Sequence, residues 1–168
     1  NENKSDAYGL FFTKEAHDRF KMKKEDHALL KEAEEKEKKD KKDTTAKKGA
    51  LPVVKIEMDG LSDRKARLTI HSSLLADALL SLDGEKLFYL TKFEGGYDLW
   101  QTKFKENETK LLIKLDSKGV GDMMFDKDGK NIFFISNGKP TKVNIEKAEK
   151  KEINFNAEMT LNTTAERE

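Results

Sequence analysis

The chain contains no cysteine. That removes disulfides, thiolate-bound metals and a cysteine nucleophile from consideration. It leaves the compartment open, because proteins of the cytoplasm and of the bacterial periplasm can both lack cysteine. No apolar run approaches the roughly 18 residues that span a bilayer, so no membrane span is expected. A charge excess of one sign is missing too. The 33 basic and 32 acidic side chains leave +1 over 168 residues, too little to steer the chain toward nucleic acid or an anionic surface.

Reactive constellations are equally scarce. The three histidines, His17, His27 and His71, are scattered rather than set at metal-ligand spacing, and they read as surface residues. Ser72-Ser73 lacks the Gly-x-Ser-x-Gly frame of a nucleophile elbow and reads as linker. Gly119-Val120-Gly121 is too short for a phosphate loop. No catalytic residue, metal ligand or cofactor is therefore expected. The chain opens Asn1-Glu2-Asn3-Lys4 without methionine, which reads as a piece of a longer protein.

What is abundant is charge, and it is local. Between Lys21 and Lys48, 19 of 28 residues are charged, eleven basic and eight acidic. Glu32–Lys36, Glu34–Lys38, Glu35–Lys39 and Glu37–Lys41 stand at i,i+4 in the favourable acid-before-base order. The spacing predicts a helix over about 26–39, solvated on most faces, followed by a loose Lys/Asp/Thr tail to Gly49. Interleaved acids and the lack of aromatic residues argue against nucleic-acid binding there. The stretch reads as a surface insertion at about 14–52.

The rest of the chain carries an internal repeat. Asp77-Ala-Leu-Leu-Ser-Leu-Asp83-Gly84-Glu-Lys-Leu-Phe-Tyr-Leu90 matches Asp122-Met-Met-Phe-Asp-Lys-Asp128-Gly129-Lys-Asn-Ile-Phe-Phe-Ile135 without a gap, at an offset of 45 residues. A period of about 40–45 residues with four strands per unit is the signature of β-propeller blades. The first unit predicts strands at 77–80, 86–93, 97–104 and 110–115. The second predicts them at 122–125, 131–136, 141–145 and 151–155. Asp83-Gly84 and Asp128-Gly129 are tight-turn residues, glycine supplying positive φ and aspartate tolerating it. The recurrence of Asp77 and Asp122 argues for a structural role in each unit. Tyr97 and Trp100 are the aromatics that could line a peptide groove, although an in-phase aromatic on a strand is more often core.

A split unit stands in front. Tyr8–Thr13 reads as its second strand, Val53–Met58 as its third and Arg64–Ile70 as its fourth, with the insertion replacing the turn between the second and third. The fold expected is mainly β: antiparallel four-stranded blades of an incomplete propeller, about two and a half of them, with a charged, partly helical insertion. Residues 1–70 form the partial blade, 71–119 and 120–156 the two full ones, and 157–168 the start of a linker. A closed propeller needs at least four blades. The partners expected are thus the remaining domains of a parent protein, and a homo-oligomer can form through exposed sheet edges.

At Leu80-Ser81-Leu82-Asp83-Gly84-Glu85-Lys86 and Gly96-Tyr97-Asp98-Leu99-Trp100 the chain resembles TolB-like propeller repeats. Leu82 departs from the usual proline, Lys127 does so again, and the second unit lacks the Tyr-Asp-Leu-Trp element. In wider order, Tyr8-Gly9-Leu10-Phe11-Phe12, the insertion, Val54-Lys55-Ile56-Glu57-Met58-Asp59-Gly60-Leu61, Asp63-Arg64, Arg67-Leu68-Thr69 and Phe155-Asn156-Ala157-Glu158-Met159 resemble the late blades of bacterial tricorn-like serine proteases. The resemblance implies a large serine peptidase as parent. Its propellers would filter or guide peptides or unfolded polypeptides, with the catalytic serine downstream of this stretch. A TolB-like protein-binding module without proteolysis is the alternative.

Overall fold

In the computed structural model, residues 4–40 and 53–154 are described. Ten strands and two helices follow one another along them. They are β1 (Tyr8–Leu10), α1 (Lys14–Lys21), α2 (Lys24–Asp40), β2 (Lys65–Arg67), β3 (Leu74–Leu80), β4 (Lys86–Lys92), β5 (Tyr97–Lys103), β6 (Glu108–Ser117), β7 (Val120–Phe125), β8 (Asn131–Ser136), β9 (Lys139–Asn144) and β10 (Glu149–Glu152). Strands β3 to β6 form one antiparallel sheet in sequence order, called sheet 1. Strands β7 to β10 form a second, sheet 2.

The two sheets are built alike. Leu80 faces Leu87 in sheet 1 and Phe125 faces Ile132 in sheet 2, each pair one repeat from the other. They stack face to face. Phe88, Leu90 and Leu99 of sheet 1 meet Ile132, Phe134 and Val143 of sheet 2 in one buried cluster. Phe88 and Phe125 pack edge to face with ring centroids 5.8 Å apart. Each such side chain contributes about 1.5–3 kcal/mol through burial. Two antiparallel four-stranded sheets in register, not closed into a ring, have the form of consecutive blades of an incomplete propeller.

Alternation decides the rest. Leu87, Tyr89 and Thr91 point away from sheet 2, yet they too are buried, so β4 is covered on both faces. The continuous apolar run Leu87–Leu90 reflects that double burial. At the far edge, β10 is Glu-Lys-Lys-Glu and wholly exposed. A charged outer strand of this kind discourages edge-to-edge pairing. The predicted fourth strand of this unit begins two residues earlier than expected, and Phe155 lies outside the described residues, as do 157–168.

The front unit differs from expectation. Val53–Met58 is not a strand, and its alternating apolar side chains are exposed, Val54 at 67% and Met58 at 75%. β1 pairs directly with β2, Tyr8 opposite Arg67 and Leu10 opposite Lys65. In sheet 1 the strand leading into the next sheet is β6, and its partner is β5. By the same position β1 is a third strand, and the insertion replaces the turn between third and fourth strands rather than between second and third. The alternation of 53–58 reported strand propensity, but a strand also needs a neighbouring edge. Here Glu57 N–H donates to the Phe12 carbonyl (2.9 Å), past the end of β1.

The insertion contains more helix than its charge pattern suggested. α2 covers the predicted span, and α1 precedes it. Thr13 caps α1, its Oγ1 accepting from Ala16 N–H at 3.1 Å. The expected tail through Gly49 lies outside the described residues.

Candidate functional site

The repeated turns come first, because they fix where the two sheets can be reached. Gly84 and Gly129 hold φ of 72° and 68°, which glycine adopts without strain. Asp83 Oδ1 accepts from Ser81 Oγ (2.5 Å) and from Glu85 N–H (3.0 Å). In sheet 2 the work moves to Asp126, the counterpart of Ser81. Its carboxylate accepts from Lys130 and Asn131 N–H (2.8 and 3.1 Å) and from Asn131 Nδ2 (2.5 Å). The hydrogen bond from the Asn131 side chain is the chief reason its carboxyl titrates below the ordinary range. Asp128 itself is exposed.

Asp77 does more than the repeat suggested. Its Oδ1 accepts from Ala78 N–H (2.8 Å), and its Oδ2 reaches across to Met123 N–H of sheet 2 (2.8 Å). It sits at a register irregularity between Leu75 and Asp77 and staples the two sheets together. Asp122, one repeat on, stands exposed at φ 57° at the matching irregularity of sheet 2. A hydroxyl pair also recurs where the chain enters each sheet, buried in sheet 1 and part-buried in sheet 2. Ser73 and Thr91 lie 2.5 Å apart, and Ser117 and Ser136, the latter one repeat after Thr91, 3.2 Å apart.

The insertion is fastened by two cations that bind backbone carbonyls. Arg64 is buried and donates to the carbonyls of Phe11 (3.0 Å), Asp59 (2.7 Å), Phe12 (3.4 Å) and Glu57. It thereby ties the chain entering the insertion, just past β1, to the chain leaving it, just before β2. Lys105, in the β5–β6 turn, donates to the carbonyls of Arg19 (2.7 Å), Phe20 (2.9 Å) and Met22 (3.0 Å). Those are the orphan carbonyls at the end of α1, which favour a cation there. Burial pushes the Lys105 ammonium below its ordinary pKa. Around it, Phe20 packs on Phe11 (4.8 Å) and Phe104 (5.2 Å), Lys31 pairs with Glu85 (2.5 Å), and Arg19 forks onto Glu34 (2.6 and 3.0 Å). A cleft of about 200 Å³ remains between the helices and the two turns of sheet 1, with His27, Phe104 and Glu85 on its walls.

Two of the three histidines are thus not surface residues. His17 is 7% exposed and packs on the Phe11 ring at 5.4 Å, its Nε2 buried without a hydrogen-bond partner. His27 is 8% exposed. Both became buried because the insertion folds back onto sheet 1, a contact that local sequence does not announce. His71 is exposed, as expected.

Tyr97 and Trp100 are three residues apart on β5 and so stand on opposite faces of sheet 1. Trp100 packs edge to face on Phe93 at 4.8 Å, with its Nε1 buried and unpartnered. Phe93, Trp100, Leu111 and Lys114 share a shallow cleft of about 670 Å³. Tyr97 is half-buried opposite Ser117. Ser72 holds Asp6 (2.9 Å) and Ser73 is buried, so both serve the linker. Among the described residues no three His, Asp or Glu side chains gather as a metal would require, and no helix is long and apolar enough to cross a membrane.

No protein-family model matches the chain, and no curated protein does. Solved structures similar to parts of it include TolB from Acinetobacter baumannii, at 17% identity and a TM-score of 0.49 over 56% of this chain and 25% of that one. They also include the tricorn protease, at 13% identity and 0.49 over 60% of this chain and 9% of that one. An oligogalacturonate lyase from Vibrio parahaemolyticus aligns at 20% identity and 0.43 over 51% of this chain and 24% of that one. The chain spans a quarter or less of the length of each of these proteins.

Proposed function

We propose that the chain is a non-catalytic propeller segment of a tricorn-like serine peptidase, contributing to peptide access or to assembly of the parent enzyme. The observation that supports the segment reading is an uncovered face. Met124, Phe133 and Ile135 of sheet 2 are the register counterparts of Leu79, Phe88 and Leu90, which sheet 2 itself covers. Phe88 and Leu90 are fully buried, whereas Met124 is 58% exposed and Phe133 and Ile135 are half-buried. A further sheet laid there would bury them, and Asp122 stands where Asp77 reaches its neighbour. The peptidase half rests on the order of motifs from Tyr8 through Arg64 to Met159.

Two measurements test it. Extending the chain through its natural continuation should raise cooperative stability and protect the Phe133 and Ile135 amides; an extension that leaves both unchanged removes the segment reading. The parent protein should cleave peptides and lose that activity to a serine-directed inhibitor, while the 168-residue chain alone stays at background. A second reading, a protein-binding module unconnected to proteolysis, draws on the Phe93–Trp100–Leu111 cleft. It predicts that extended peptides shift Trp100 fluorescence and that the parent shows no peptidase activity.

A further inference from the structure

We propose that docking of the helical insertion onto sheet 1 is a latch that opens when His27 takes up a proton. The proposal stands on the chain alone and does not depend on what the parent protein does. Its basis is the set of groups around the imidazole. Lys105 of the β5–β6 turn, Glu85 of the β3–β4 turn and Arg19 of α1 wall one cleft with it, and Lys31 of α2 reaches Glu85 there. Three of these are cations. The anion among them, Glu85, is already held by Lys31 at 2.5 Å, and the exposed Asp83, which walls the same cleft, has its Oδ1 committed to the Ser81 hydroxyl and the Glu85 N–H. Arg19 is held by Glu34, and Lys105 has its three donors committed to the α1 carbonyls.

A neutral imidazole fits this place. It is small, nearly fully buried, and makes no side-chain hydrogen bond to another described residue. A protonated ring would carry a new positive charge into a desolvated site beside the ammonium that caps α1. Both carboxylates on the cleft, Glu85 and Asp83, already have partners. The least costly response is for α1 and α2 to move off the blade, which breaks the Lys105–carbonyl bonds and hydrates the charge. Leaving, the helices uncover Phe11, Phe104 and the Asp83–Glu85 turn, which wall the cleft, and α1 carries Phe20 away from the Phe11 and Phe104 rings.

The direction of the pH effect follows from the ring's environment. Burial first, and then Lys105, push His27 below its ordinary value of 6.5. The released state therefore binds the proton more tightly than the docked state. Docking is strongest above pH 6.5 and weakens as pH falls through the docked-state value. One proton is linked, so the opening constant rises by at most about tenfold per pH unit within that window and then levels off.

Amide exchange on the 168-residue chain, corrected for intrinsic rates and followed from pH 7.5 to 5.0, reads this directly. The α1 amides should lose protection up to about tenfold per unit below pH 6.5, while those of β4 and β8 keep theirs. His27→Gln should flatten the α1 step, and His71→Gln should leave it in place. A ring-proton titration of His27 guards against a variant that fails to dock at any pH: its midpoint should lie below 6.5 and coincide with the loss of α1 protection. A flat α1 profile in the natural chain, a step that persists in His27→Gln, or a His27 midpoint at or above 6.5 each overturns the proposal.

Discussion

Phe88 in sheet 1 and Phe133 in sheet 2 occupy the same position of the repeat, yet Phe88 is 1% exposed and Phe133 only half-buried. Asp77 and Asp122 show the same contrast. One reaches the amide of Met123 in the next sheet, and the other stands in solvent. The repeat thus sets which side chain is offered at each position, and the neighbouring sheet decides whether it is used. Paired substitutions one repeat apart should separate these two contributions.

The largest difference is expected in the core. Phe88→Ala should cost about 3–5 kcal/mol, the usual range for deleting a buried aromatic ring and leaving a cavity. Phe133→Ala should cost about 1 kcal/mol, because water already reaches its ring. Denaturant unfolding of both variants measures the gap. Equal losses would mean that the outer face of sheet 2 is covered in solution, by another copy for instance.

Next come the hairpin glycines. A Cβ added to Gly96 would lie 2.4 Å from the Asp116 carbonyl carbon and 2.7 Å from the Ser117 nitrogen. Backbone cannot swing aside as a side-chain tip can, so Gly96→Ala should cost about 2–3 kcal/mol and loosen β5 from β6. Gly138 has open space around its Cα and only its φ of 77° to lose, so Gly138→Ala should cost about 1 kcal/mol. The staple follows. Asp77→Ala leaves the Met123 N–H without its acceptor and should cost about 1–2 kcal/mol, with Asp122→Ala near zero. Parity between the two aspartates would show that Asp77 is replaced readily by water.

These contrasts also show what sequence could reveal. The gapless 45-residue match placed the first two strands of each sheet, because it carries both turn chemistry and strand phase; the other four were placed by turn residues and the four-strand unit, the last of them two residues late. Segment 53–58 misled, since alternation of Val54, Ile56 and Met58 records what a strand would prefer and not whether an edge is present. α1 went unseen, with only eight residues and a cap at Thr13. Arg64 and Lys105 were invisible for a deeper reason. Each binds carbonyl groups, which every residue has, and their acceptors lie up to 53 and 86 positions away. No side-chain pattern marks such a contact, and the burial of His17 and His27 depends on it.

The smallest expected effect concerns the turns, where the two sheets use different chemistry at one position. Ser81 closes its turn with a hydroxyl that accepts from Lys86 N–H at 2.9 Å, and Asp126 closes the equivalent turn with a carboxylate. A hydroxyl does not titrate over the acid range; a carboxylate does. Hydrogen bonds from the Asn131 side chain and backbone hold the Asp126 carboxyl below its ordinary value of 3.8. Its contribution to the turn is therefore complete above that value and is lost as pH falls through the lower, folded-state one. In an acid titration followed by NMR, the Lys130 and Asn131 amides should shift together with a midpoint below 3.8, while Lys86 shows no step of its own beyond what Asp83 transmits through Ser81. Asp126→Ser should erase the sheet 2 step and give its turn the acid response of sheet 1. A midpoint at or above 3.8 for Lys130 and Asn131 would place the carboxylate outside the turn in solution, and the equivalence of Ser81 and Asp126 would fall with it.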